Sequence, residues 1–278
     1  MLEIKNLKIK IKGKNEDNVK PSFILENVNF IMETGKVYVL DGRNGSGKSS
    51  LLSAIMGHPN YEIVEGEIII KNNNEENINS NERDVKNYEN KSNDESSLIK
   101  NNSVEESAAA GIYMTMQMVP EIEGVTLIQL LHKAINKKQN NLIKVDNKKD
   151  ENLSKYESST GQKKNEINIL ELNKKLIKYC EDFDIDKSFI SRDLNYKMSG
   201  GEKKQAELLH LLTLKPKYIL IDEIDSGVDR ESIEKIYKVL KYLQEENNSS
   251  LLIVSHHTNV SDYLEVERTY TLENKTIV

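Results

Sequence analysis

The sequence holds a single cysteine, Cys180, and no tryptophan. One thiol excludes a disulfide framework within the chain, and any iron–sulfur or zinc site built on several thiolates. Cys180 therefore reads as a small buried or idle thiol. Long apolar runs are missing as well. A membrane-spanning helix needs roughly 18 to 20 apolar residues, whereas the clear apolar stretches, such as Leu251 to Val254, have the length of buried strands. Nor does an apolar block open the chain, because Met1 to Lys10 alternates apolar and charged residues in strand fashion. Neither a signal peptide nor direct membrane insertion is expected. What remains is the profile of a soluble intracellular chain of one large or two modest domains.

Acidic residues outnumber basic ones by 45 to 39, a formal net charge of −6. Residues 71–107 carry nine acids and five bases, so most of that excess belongs to one segment and says little about partners. From Asn72 to Asn102, eleven of 31 residues are asparagine and almost none is apolar, which reads as a low-complexity, disordered insertion over 71–107. A second biased stretch, 133–175, has eleven lysines against six acids. Its lysines are irregularly spaced without aromatic interleaving, the pattern of a solvated, partly disordered face; no nucleic-acid partner is expected.

Elsewhere the punctuation is that of an α/β protein. Lys36 to Asp41, Gly111 to Thr115, Tyr218 to Asp222 and Leu251 to Ser255 are short apolar runs of the kind buried on both faces of a sheet. Helical patterns follow at Gly47 to Met56, Gly201 to Leu214 and Glu231 to Leu243, so a mainly parallel sheet is expected. Leu2 to Ile11, Phe23 to Met32 and Glu67 to Ile70 are strand-like without intervening helices and predict a small antiparallel layer.

The sharpest local signal is Gly42-Arg43-Asn44-Gly45-Ser46-Gly47-Lys48-Ser49, set between a strand and a helix. Glycines let backbone N–H groups turn inward around a polyphosphate. The following helix presents its positive end, Lys48 reaches the β- and γ-phosphates of a nucleotide, and the Ser49 hydroxyl ligates Mg²⁺. The strand Tyr218 to Asp222 ends in Asp222-Glu223, and carboxylates at the carboxyl end of such a strand lie where ligands bind. Asp222 is placed to hold the magnesium ion, and Glu223 to polarise an attacking water. Between these stretches, Ser199-Gly200-Gly201-Glu202 opens a helical pattern, with Ser199 and Glu202 spaced as a capping box. Bare glycines at a helix start also make a second anion site.

In order and spacing, GRNGSGKSS, the glutamine of MTMQM, MSGGEKKQ, YILIDEIDSGVD and IVSHH resemble the motifs of ATP-binding-cassette (ABC) ATPases. The stretches NYEIVEGEI, AGIYMTMQMVPEIEGVT and MSGGEKKQAELLHLLTLKPKYILIDEIDSGVD are most similar to the SufC-type members, ATPase subunits of iron–sulfur cluster assembly scaffolds. The resemblance implies that the loop from Gly42 through Ser50 binds ATP. It implies that Gln117 senses the γ-phosphate and joins Ser49 and Asp222 around magnesium, and that His256 contacts the γ-phosphate and positions Glu223. Ser199, Gly200, Gly201 and Glu202 would grip the nucleotide of a second copy, with Asp229 touching the same interface. Phe23 stands where the family often stacks an aromatic ring on adenine, and reads equally as a core strand residue. Arg43 and Gln205 depart from the usual proline and arginine.

The expected fold is thus a P-loop NTPase of ABC type. Its core spans 1–126 and 198–278 with an antiparallel β subdomain, and a helical subdomain covers 127–197. The expected activity is Mg²⁺-dependent ATP hydrolysis, driving soluble SufB- and SufD-like scaffold proteins. The alternative is the motor of an ABC membrane transporter. The expected home is the stroma of an apicoplast-type plastid if a targeting segment is removed, otherwise the cytoplasm.

Overall fold

The computed structural model describes residues 1–12, 23–71, 96–99, 103–115, 120–149, 166–224, 226–255 and 259–278. In chain order the strands and helices are β1 (Leu2–Ile11), β2 (Phe23–Met32), β3 (Val37–Asp41), α1 (Lys48–Ile55), β4 (Tyr61–Lys71), β5 (Ser96–Ile99), α2 (Val104–Ala109) and β6 (Ile112–Met114). They continue with β7 (Ile122–Thr126), α3 (Leu127–Lys149), α4 (Ile169–Phe183), β8 (Asp193–Leu194), α5 (Gly200–Leu214), β9 (Tyr218–Asp222), α6 (Arg230–Asn247), β10 (Ser250–Val254), β11 (Val266–Glu273) and β12 (Thr276–Ile277). The chain divides into two compact units: Met1–Thr34, Gly42–Ala110 and Tyr270–Val278 form one, and Gly35–Asp41 with Gly111–Thr269 the other.

The first unit is built on the antiparallel order β2-β1-β4-β5. Along β1, Leu2, Ile4, Leu7 and Ile9 are buried, an alternation that skips one place between Ile4 and Leu7. The ladder to β2 shifts register at that point, where Asn6 and Asn27 both have positive φ. A bulge inserts one residue and returns the apolar side chains to the same face. Opposite it on β4, Gly66 has φ +90°, and a Cβ there would meet the Lys5 and Asn6 carbonyl oxygens at 2.4 Å, so only glycine fits.

Part of the segment expected to lack order is ordered: β5 pairs with β4, and α2 begins at Ser103. Ser103 and Glu106 form a full capping box, and the buried Ser107 hydroxyl donates to the Ile55 carbonyl at 3.2 Å. Asparagine abundance upstream had masked this S-x-x-E helix start. The rest of the low-complexity reading, 72–95 and 100–102, lies outside the described residues.

In the second unit the strands run β3-β10-β9-β6, all mutually parallel. Strands β9 and β10 are buried at every residue, as their uninterrupted apolar sequences require. The helical segment at 127–197 does not have a core of its own. Leu127 and Leu131 of α3 and Leu172, Leu176 and Phe183 of α4 join Leu208 and Leu212 of α5, Ile219 and Ile221 of β9 and Ile253 of β10 in one hydrophobic cluster. The lysine-rich stretch is helical at both ends, in α3 through Lys149 and in α4 from Ile169, while 150–165 lies outside the described residues. Among the described residues, no helix is long and apolar enough to cross a membrane.

Candidate functional site

The glycine loop occupies Gly42 to Gly47 in the first unit, ahead of α1. A Cβ at Gly42, whose φ is +148°, would lie 2.6 Å from the Leu272 carbonyl and 2.9 Å from Ser46 Oγ; the loop closes this tightly only because that atom is absent. Gly47, left-handed, is the N-cap of α1 and offers no side-chain hydrogen bond, so the first-turn N–H groups lack the capping oxygen most helices supply. Lys48 is buried, its ammonium bonded to the carbonyls of Gly42 at 2.7 Å and Arg43 at 3.2 Å. Ser46 Oγ is sealed from solvent with no hydrogen-bond partner. Arg43, Asn44, Gly45 and Ser49 are exposed, and Ser50 Oγ donates to Tyr61 Oη at 3.4 Å. A tight loop with an orphaned hydroxyl, a buried ammonium and an uncapped helix start fits a polyphosphate. Phe23 is partly buried at the start of β2, and the Lys8 ammonium lies 4.1 Å from its ring centroid, so one face of the ring is engaged by a cation.

In the second unit, Asp222 ends β9 with only 3% of its surface exposed. Its N–H donates to Thr115 Oγ1 at 3.1 Å, while the Thr115 N–H donates to the Leu220 carbonyl. Thr115, fully buried just after β6, was missed in the sequence; its only signal there was a hydroxyl at the end of an apolar strand. Glu223 follows with φ +52°, its N–H donating to the Val254 carbonyl and its carbonyl accepting from Ser226 N–H. A left-handed glutamate costs about 1 kcal/mol or more of backbone strain, and the turn that imposes it gives Glu223 a heading different from that of Asp222.

Ser199 to Glu202, the signature turn, open α5. Ser199 is its N-cap, its Oγ accepting from Glu202 N–H at 3.3 Å while Glu202 Oε2 accepts from Ser199 N–H at 2.7 Å. Those bonds and Arg192, 3.0 Å from Glu202 Oε1, hold the Glu202 carboxyl down to about 2. Ser199 and Gly200 are exposed, nothing lies within 4 Å of a Cβ placed on Gly200 or Gly201, and the Ser199 hydroxyl proton remains free to donate outward. Asp229 caps α6 by accepting from Ser232 N–H at 2.9 Å, a structural duty that the motif does not reveal. Also unforeseen is Glu207, nearly buried on α5. Burial and this carboxylate push the Tyr113 phenol on β6 well above its ordinary range. Gln117 and His256 lie outside the described residues.

Comparison with known proteins agrees with this geometry. The family described as ABC transporter matches residues 25–226. "Vegetative protein 296" of Bacillus subtilis is 31% identical over 95% of this chain and 80% of its own length. "Probable ATP-dependent transporter ycf16" of Cyanidium caldarium is 30% identical over 92% of this chain and 83% of its own length. Among solved structures, the dimeric bacterial ABC transporter cassette MJ0796 superposes with a TM-score of 0.67, covering 100% of this chain and 96% of its own, at 21% identity. With its glycine loop, its strand-terminal carboxylates and a family match over most of its length, the chain belongs to the ABC transporter family as one of its ATP-hydrolysing cassettes.

Proposed function

We propose that the chain is a SufC-type cassette that closes with a second copy around ATP, hydrolyses it, and moves a soluble SufB- and SufD-like scaffold. The observation that carries the ATP site is the sealed, partnerless Ser46 Oγ beside a buried Lys48 in a loop that admits no Cβ at Gly42. Lys48 and the loop N–H groups take the phosphates; Ser49, Asp222 and Gln117 supply oxygen ligands suited to Mg²⁺. When bound, the ion would neutralise phosphate charge. Glu223 accepts the proton of the attacking water, and His256 orients that water. Asp229 and the exposed Ser199 turn face the other copy. A dimer is supported by the dimeric form in which the MJ0796 cassette was solved, and by a signature whose glycines stand open.

The SufC-type partner is supported by the sequences around Asn60, Ala110 and Met198. Relatives named as ATP-binding proteins of ABC transporters favour a second reading, the motor of a membrane permease. Affinity capture from a membrane-free extract and from solubilised membranes, read by mass spectrometry, separates the two. Soluble scaffold proteins recovered in stoichiometric amounts support the first, and an integral membrane permease in their place overturns it. A plastid home is part of this proposal, and localisation of the tagged chain tests it.

A further inference from the structure

Pro120 to Thr126, which follows the segment containing Gln117, is stitched to the residues that precede and open α5. Strands β7 and β8 pair antiparallel, with Ile122 opposite Leu194 and Thr126 opposite Asp193. Gly124 N–H donates to Asp193 Oδ2 at 3.0 Å. Asn195, 2% exposed and left-handed at φ +57°, donates from Nδ2 to the Pro120 carbonyl at 3.0 Å. From α5 itself, Lys203 Nζ reaches Glu121 Oε1 at 2.7 Å, and this contact holds the Glu121 carboxyl below its usual range. On the other side, Met198 N–H donates to the Asn195 carbonyl and Arg192 pairs with Glu202, which fastens the same short strand to the Ser199 turn.

We propose that Asn195 and the Glu121–Lys203 pair are positioning residues: they clasp the 120–126 segment to the start of α5, so that displacement of one moves the Ser199 turn with it. The physical reason is the number of independent attachments over a short span. A buried amide bonded across two segments and an ion pair anchored on the first turn of a capped helix leave little freedom for either to shift alone. This inference rests on the proposed role of Ser199 toward the second copy's nucleotide.

The test is steady-state ATP hydrolysis by the full chain carrying Glu121→Lys, Lys203→Glu, both reversals together, or Asn195→Asp, with the affinity of each for a fluorescent ATP analogue. Each single reversal is expected to lower kcat roughly threefold to fivefold without changing analogue affinity, and the double reversal to restore the parental kcat. Asn195→Asp keeps the size and the left-handed tolerance but loses the donor, and is expected to lower kcat about tenfold. Parental kcat in both single reversals, or a double reversal as slow as the slower single, overturns the clasp; the surface pair decides it if Asn195→Asp does not fold. Ser199→Ala with undiminished turnover sinks the signature reading and this inference with it. A slow Ser199→Ala beside unaffected clasp variants sinks the clasp alone.

Discussion

Glu223 shows what a single residue's conformation adds to its identity. Its acidic side chain after an apolar strand was legible in the sequence, but its left-handed backbone was not, because φ at that position is imposed by the turn closed through Ser226 and by the bond to Val254. Glu223→Gln preserves volume and removes the proposed base, and should cut turnover by about 10² to 10⁴ while leaving ATP affinity intact. Turnover equal to the parent's would reassign the base. Lys48→Ala acts earlier, since it removes the loop's buried positive charge. Titration with a fluorescent ATP analogue should show weakened binding, and unchanged affinity would contradict the phosphate role of the loop. Thr115 and Asn195 act through hydrogen bonds to Asp222 and Pro120, partners 107 and 75 positions away in the chain, which no local pattern announces.

At the scale of elements, α5 carries the most. Its start was readable from Ser199 and Glu202, since a capping box depends on residues three apart. The consequence of its burial was not readable. His210 is partly buried with Nε2 sealed and partnerless, and burial pushes its pKa down to about 4. The unfolded chain therefore binds a proton that the folded chain refuses. The resulting stability is full above the ordinary histidine pKa of about 6.5 and is lost as pH falls toward the folded value. The loss is on the order of 3 kcal/mol in the limit. Urea denaturation between pH 7 and pH 4.5 should show a falling midpoint that flattens in His210→Leu; a slope unchanged by the substitution would assign the acid sensitivity to other groups. In the antiparallel layer, alternation along β1 announced a strand, whereas the skipped place at Asn6 found its reason in Gly66 across the ladder. The helix at Val104–Ala109 was hidden by composition, because a window dominated by asparagine outweighed one local cap.

For the molecule as a whole, the proposed role of the exposed Ser199 turn would make catalysis the work of a pair of copies. Specific ATPase activity should rise with protein concentration, and ATP should shift the Glu223→Gln variant to twice the monomer mass in sedimentation. A specific activity independent of concentration, with the variant remaining monomeric in ATP, would place the whole site in one chain. By itself the sequence determined the α/β class, the alternation of strands and helices, and the chemistry-bearing stretches, because loops that bind phosphate and strands buried on both faces depend on residues adjacent in the chain. Tertiary structure alone decided that the helical segment shares its core with the parallel sheet, that Thr115 braces Asp222, and that Asn195 ties Pro120 to the signature. Those are contacts between residues far apart in sequence, and they exist only once burial has brought the segments together and left each enclosed polar group in need of a partner.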